Sequence, residues 1–252
     1  MLSKTKISEI RALHQAKIRK NERRFIVEGE KVVSELLRSS LNVTLLAALP
    51  EYLKLFQSQE LPAQVYEISD AELSKISLLT TPNKVLAVAE VPVYQKVLFN
   101  NFDGPALMLD GINDPGNLGT IIRTADWFGV KAIFCSPDCV DCFNPKVVQS
   151  AMGSLFRIPV YYDHLPLLIR QAKETGRLSI VGATLDGEMN TSISSSSGNT
   201  ILVMGSESHG ISSEVMGLLD SKITIPRFTN SRAESLNAAV ACGILLNLLQ
   251  SK

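Results

Sequence analysis

Three short segments of this 252-residue chain place polar residues and glycines directly after an apolar run. The first is Leu109–Ala125 (LDGINDPGNLGTIIRTA), where Asn117, Gly119 and Arg123 stand at the start of a helical pattern. The second, Leu202–Ile211 (LVMGSESHGI), delivers Gly205, Glu207 and Gly210. In the third, Ile225-Pro226 is followed by Glu234, Ser235, Leu236 and Asn237. In an open α/β sheet, ligands bind outside the carboxyl ends of the strands, so such turns are where a site belongs. Free N–H groups at a helix start, with Gly116 and Gly119 permitting close approach, make an anion-binding position near Asn117. Arg123 follows one turn after Gly119 and can reach a ligand there, although a tight turn and a surface arginine describe the segment equally well. A carboxylate among glycines is costly without partners, so Glu207 is expected to accept loop N–H bonds or meet a cation. His209 has no acid or nucleophile at a fixed spacing and reads as loop surface. Ser235 or Asn237 begins the last helix, and Ser235 as N-cap satisfies orphan N–H groups.

The elements that must position these turns alternate along the whole chain, strand with helix, which argues for an α/β fold. In the first third, 25–27, 43–47, 65–68 and 85–91 read as strands. Residues 30–39, 51–56 and 70–77 read as helices, the last capped by Ser69 or Asp70. These suffice for a small sandwich domain over residues 1–95. The Pro- and Asn-containing stretch between Pro92 and Pro105 supplies a linker, 96–104. Residues 105–252 form a second domain, with strands at 106–109, 132–135, 160–162, 179–183, 201–204 and 223–225. Its helices are expected at 118–128, 146–155, 165–174, 213–219 and 235–251, and Thr191–Gly198 reads as a mobile serine-rich loop. The last helix is apolar on nearly every side and should be buried or form a subunit interface.

A hydrophobic fraction of 45% with 20% charged residues excludes a disordered chain. The longest apolar run, Ala238–Leu246, is too short to span a bilayer, and the N-terminus carries no signal-peptide pattern. Four cysteines are too few for a disulfide scaffold, which points to a cytoplasmic protein. The zero net charge hides an asymmetry: residues 1–40 hold ten Lys/Arg against five acids, so the remainder carries −5. A basic end is a footprint of phosphate-backbone contact, with Arg11, Lys17, Arg19, Lys20, Arg23 and Arg24 as candidates, although a solvated helix face fits the same charges. Cys135, Cys139 and Cys142 mimic the spacing of an iron–sulfur triplet, but they lie mid-chain after a strand, and no metal is expected. A nucleotide-dependent oxidoreductase is disfavoured because the G-x-G-x-x-G element with its downstream acid in a βαβ unit is lacking.

Taken together, the three turns resemble the three signature motifs of the SpoU–TrmH branch of the SPOUT RNA methyltransferases, the ribose 2′-O-methylating enzymes. Asn117, Gly119, Arg123 and Thr124-Ala125 match the first motif. Gly205, Glu207 and Gly210 match the second. Ile225-Pro226 and Glu234–Asn237 match the third, with 229–232 making this stretch longer than expected for close relatives. Residues 141–157 look like the family's linking region, and Phe25–Gly29 before a helix is similar to its small RNA-binding domain. The resemblance implies an L30e-like N-terminal α/β sandwich and a C-terminal α/β SPOUT domain with a trefoil knot. It implies S-adenosylmethionine as cofactor, with Thr184, Gly205, Ile225 and Leu236 around it. It implies catalytic roles for Arg123, Asn117, Glu207, Ser235 and Asn237: Arg123 stabilises charge on the attacking oxygen and Asn117 positions Arg123 or the ribose. Glu207 would orient loops, and Ser235 and Asn237 would hydrogen-bond near the reacting centre. The implied partners are RNA, with ribosomal RNA preferred to tRNA, and a second copy of the chain paired through the knotted domain. A non-catalytic RNA-binding module on the same fold is the alternative.

Overall fold

A computed structural model describes residues 2–56, 60–188 and 199–250. The chain packs as two compact units, Met1–Val93 with Asp141–Arg157, and Tyr94–Val140 with Ile158–Lys252.

The first unit is built on a four-stranded mixed sheet of β1 (Arg24–Glu28), β2 (Val43–Ala48), β3 (Gln64–Glu67) and β4 (Val85–Glu90), in the order β1-β4-β2-β3. Strand alternation sends Ile26, Leu45, Ala47, Leu86 and Val88 into one buried cluster with Ile10, Leu13, Leu73 and Ile76. The last four lie on or just after α1 (Lys4–Ala12) and α5 (Asp70–Ile76). Ser69 is the N-cap of α5 and forms a complete capping box with Glu72. Residues 1–93 also contain helices α2 (Ala16–Glu22), α3 (Glu30–Leu37) and the short α4 (Pro50–Leu53). The unit also holds α7 (Pro145–Ala151), which packs on β1.

Two ion pairs fix the 141–157 segment there. Arg19 donates to Asp141 Oδ2 from Nη2 at 2.6 Å and from Nε at 2.9 Å, and Arg157 donates to Glu35 at 2.6 Å. Phe25 meets Phe143 at a ring-centroid distance of 4.6 Å.

The second unit is a six-stranded parallel sheet in the order β10-β8-β9-β5-β6-β7. Its strands are β5 (Ala106–Asp110), β6 (Ala132–Cys135), β7 (Val160–Tyr162), β8 (Ser179–Glu188), β9 (Thr200–Gly205) and β10 (Ser221–Ile223). Parallel strands covered on both faces are apolar without alternation, as Leu107, Met108 and Leu109 show, all fully buried. Helix α8 (Leu165–Glu174) packs over Phe134, Ile180 and Val203. Helices α6 (Pro115–Trp127) and α10 (Ala238–Gln250) pack against each other, with Gly243 beside Thr124. The short α9 (Ser213–Met216) follows the loop after β9.

The structure shifts several expected boundaries. Helix α6 starts at Pro115 because Asp114 is its N-cap and proline suits the first helical position. Strand β10 ends at Ile223, so Ile225-Pro226 lies in a loop, and α10 starts at Ala238. Helices α1 and α2 had no counterpart among the expected elements. The serine-rich Thr191–Gly198 lies outside the described residues.

Candidate active site

The loops that follow β5, β9 and β10 leave the carboxyl ends of these parallel strands and meet. Asp110, which pairs in register with Gly205, ends β5 and accepts from the Ser212 N–H at 2.8 Å. This contact ties the loop after β5 to the one after β9. Within the latter, Ser206 and Gly210 exchange both backbone hydrogen bonds, at 2.9 and 3.2 Å. A Cβ on Gly205 would sit 2.0 Å from the Gly210 carbonyl carbon. The close approach that requires glycine here is therefore made by the loop's own backbone.

Three side chains from the three motifs join in one line. Asn237 Nδ2 donates to Asn117 Oδ1 at 2.7 Å, and Asn117 Nδ2 donates to Glu207 Oε1. Asn237 also caps α10, its Oδ1 accepting from the N–H groups of Ala239 and Val240 at 3.0 and 3.3 Å. The cap is Asn237, and Ser235 stands before the helix, exposed. Among the described residues Glu207 meets the Asn117 amide, neither a cation nor a ring of loop N–H groups.

The expected anion position at the start of α6 is already filled. The Asp114 carboxylate accepts from the Asn117 N–H at 2.8 Å, so the dipole end faces a built-in negative charge. Arg123 lies exposed on α6 with no ion pair or hydrogen bond from its guanidinium to any described residue.

Beside this line of amides lies a cavity of about 670 Å³, within the range of small-molecule sites. Thr184, Gly205, Ile225 and Leu236 line it, together with Glu207 and Ser235. Arg123, Asn117 and Asn237 are outside its lining, the last two joined to it through Glu207. His209 also faces the cavity, exposed, its Nδ1 2.7 Å from the Ser208 hydroxyl. At the far side, Asp186 pairs with Lys222 at 2.9 Å. That ammonium first, and the Thr184 hydroxyl second, hold its carboxyl below the usual carboxylate range.

The amino-acid sequence agrees with this geometry. The profile of the SpoU rRNA methylase family matches residues 104–247, and that of the MRM3-like substrate binding domain matches residues 4–87. The chain belongs to the SpoU rRNA methylase family.

Among relatives of this SpoU family member is the 23S rRNA (guanosine(2553)-2′-O)-methyltransferase RlmP of Bacillus subtilis. The two are 32% identical over 96% of this chain and 94% of RlmP. A putative RNA methyltransferase of the TrmH family from Porphyromonas gingivalis superposes with a TM-score of 0.88 at 35% identity, covering 99% of this chain and 98% of that one. An AdoMet-bound rRNA methyltransferase from Sinorhizobium meliloti superposes with a TM-score of 0.82 at 29% identity, covering 99% and 96%.

The cofactor that the family implies fits the residues present. The Thr184 hydroxyl is buried at the cavity and makes no well-formed hydrogen bond to a described residue, although it lies near enough to favour the Asp186 carboxylate. It is therefore available to a ligand. Ile225, Leu236 and Leu245 offer apolar walls, and Gly205 keeps the loop after β9 closed behind them.

The basic residues of the first unit divide into two groups. Arg11, Lys17, Lys20 and Arg23 are exposed. Arg19 is 3% exposed, its guanidinium committed to Asp141 and to the carbonyls of Leu13 and His14 at 3.0 and 2.9 Å, so it builds the unit and has no face for a phosphate. Arg24 is half-buried and paired with Glu22 at 2.7 Å.

Among the described residues no three His, Cys, Asp or Glu side chains are grouped to hold a metal ion. Cys135 and Cys139 fall in the second unit and Cys142 in the first. No described helix is long and apolar enough to cross a membrane.

Nothing in the sequence singles out Asp110 or Asp114. Their only signal is position, at a strand end and just before a proline-initiated helix.

Proposed function

We propose that this SpoU family member transfers the methyl group of S-adenosylmethionine to a ribose 2′-hydroxyl of ribosomal RNA. The observation that carries this reading is the hydrogen-bonded line Asn237–Asn117–Glu207 at the edge of the cavity. A bare binding module has no need to join three distant motifs in this way.

Thr184, Gly205, Ile225 and Leu236 would hold the cofactor. When bound, it supplies a methyl group on a positively charged sulfur. The protein's task is to align the attacking oxygen and stabilise the charge that develops on it. Arg123 fits that task because its guanidinium has no partner among the described residues and does not give up its proton in proteins, so it acts by charge and not as a base. Asn117 and Asn237 fix the local geometry, Glu207 orients the loop after β9, and Ser235 offers a hydroxyl at the cavity wall.

We assign RNA capture to residues 1–95, with Arg11, Lys17, Lys20 and Arg23 as phosphate contacts, and methyl transfer to residues 105–252, joined through 96–104. We also infer a trefoil knot and a homodimer. After edge strand β10 the chain returns to the middle of the sheet, where α10 packs on β9 and α6, a path consistent with threading. Trp127, 85% exposed on α6, and the exposed Val240 and Ile244, one turn apart on the α10 that packs against it, offer apolar surface suited to a second copy. Arg123 stands one turn before Trp127, so pairing would set it at the interface. The four cysteines, all free and buried, suit a reducing cytoplasm.

The test is methyl transfer from tritiated S-adenosylmethionine to large-subunit ribosomal RNA from cells lacking the gene. Label resistant to alkaline hydrolysis at one nucleotide is expected. Label on a base, or none on RNA from any source, overturns the reading.

A further inference from the structure

The loop between β10 and α10 carries at its tip a feature that methyl transfer leaves unused. Phe228 is 78% exposed yet lines the mouth of the cavity, between Arg227 and the Thr229–Arg232 stretch. Its placement is built. The Ser231 N–H donates to the Phe228 carbonyl at 2.9 Å, closing a turn over Thr229 and Asn230. Arg227 Nη1 donates to the Ala233 carbonyl at 3.3 Å, and the Ala233 N–H donates to Ser231 Oγ at 3.3 Å. These bonds hold an aromatic ring in water at the cavity mouth. Residues 227–232 (RFTNSR) contain two arginines and no acid, and the Arg232 guanidinium has no partner among the described residues.

An exposed ring flanked by cations suits an unpaired nucleobase, whose face stacks on the aromatic side chain while the arginines meet the adjoining phosphates. We propose that Phe228 is the stacking platform for a splayed-out base beside the methylated ribose, with Arg232 contacting the backbone phosphate next to it. The proposal rests on the RNA-methylating reading of the site. It deepens that reading by placing the substrate's unpaired stretch over the β10–α10 loop.

The experiment compares wild type with Phe228→Ala, Phe228→Trp and Arg232→Ala, using large-subunit ribosomal RNA from cells lacking the gene. Filter retention gives RNA affinity, steady-state rates give KM and kcat, and calorimetry gives S-adenosylmethionine affinity. Stacking of one base predicts that Phe228→Ala weakens RNA affinity and raises the RNA KM roughly 5- to 150-fold, with cofactor affinity unchanged. Phe228→Trp restores both, and Arg232→Ala lessens the salt dependence of retention. Unchanged RNA affinity in Phe228→Ala overturns the proposal, as does an equal loss of cofactor affinity, which would make the ring a cofactor cover. A wild type that retains RNA but transfers no methyl group refutes the functional reading alone, and the retention comparison still decides on Phe228.

Discussion

Asn237 donates its side-chain amide to Asn117 across 120 positions of sequence, and the polarity of that bond is imposed from the other end of the line. Glu207, when ionised, only accepts, so Asn117 must turn its Nδ2 toward the carboxylate and its Oδ1 toward Asn237. Asn237 must then donate with Nδ2, which leaves its Oδ1 to cap α10. Each amide has one workable orientation.

This asymmetry separates function from stability at position 237. Aspartate caps a helix as well as asparagine, but it has no donor for Asn117. Asn237→Asp should therefore leave the melting temperature near wild type and lower kcat tenfold or more. Asn237→Ala should lose both, with a stability cost of about 0.5–2 kcal/mol for the missing cap. A cycle combining Asn117→Ala with Asn237→Ala should show coupling of about 0.5–3 kcal/mol. Additive losses would mean that the two amides act independently.

Arg123 is exposed and has no partner among the described residues, so removing it should cost little stability. Its proposed work is confined to the charge that develops during transfer. Arg123→Ala is expected to lower kcat about 10²- to 10³-fold, the scale of losing one charge-stabilising donor, while calorimetry finds S-adenosylmethionine affinity intact. Arg123→Lys should recover part of the rate. Turnover unchanged in Arg123→Ala would remove the residue from the mechanism.

Two glycines, one ending β9 and one in the loop after it, differ in what they tolerate. At Gly205 an added methyl falls 2.0 Å from the Gly210 backbone, so the closed Ser206–Gly210 pair must open. Gly210 has φ +66° and open space around its Cβ direction, so alanine there meets only backbone strain, about 1 kcal/mol. Gly205→Ala should abolish detectable cofactor binding in calorimetry. Gly210→Ala should bind within a few-fold of wild type and melt slightly lower. The reverse order of effects would show that the loop's closed form is not the one that binds.

How much of this was legible in the sequence depended on whether a residue's role is set locally or by a distant partner. The strands of the parallel sheet were readable because burial on both faces makes them continuously apolar, as at Leu107–Leu109. The line Asn237–Asn117–Glu207 was approached only through the resemblance to a family, since no periodicity joins residues 120 apart. Arg19 was misread for the same reason. Its charge and its helix suggest a solvent face, and only Asp141 reveals it as buried structure. Asn237 and Ser235 are both good helix caps, and what selects between them is the hydrogen bond to Asn117, a tertiary contact.

The loop that leads into α6, and so to Asn117, has a second support whose strength should depend on pH. Ser136 Oγ accepts from the Gly111 N–H at 2.9 Å and Cys139 Sγ accepts from the Ile112 N–H at 3.2 Å. The Cys135 thiol first, then the Ser136 hydroxyl and the Ile112 and Gly111 N–H groups, outweigh burial and bring the Cys139 thiol down from 9.0 to about 7. Between these values the unfolded chain holds the proton more often than the native one, so native stability rises with pH across that window. The added stability is complete above pH 9 and is lost as pH falls through 7. For a difference of this size it reaches at most about 3 kcal/mol. Urea midpoints of wild type and Cys139→Ser, measured at intervals from pH 6 to pH 9.5, should diverge progressively, with wild type gaining. Parallel curves would show that Cys139 stays a neutral thiol and that hydrogen bonds alone hold Gly111 and Ile112.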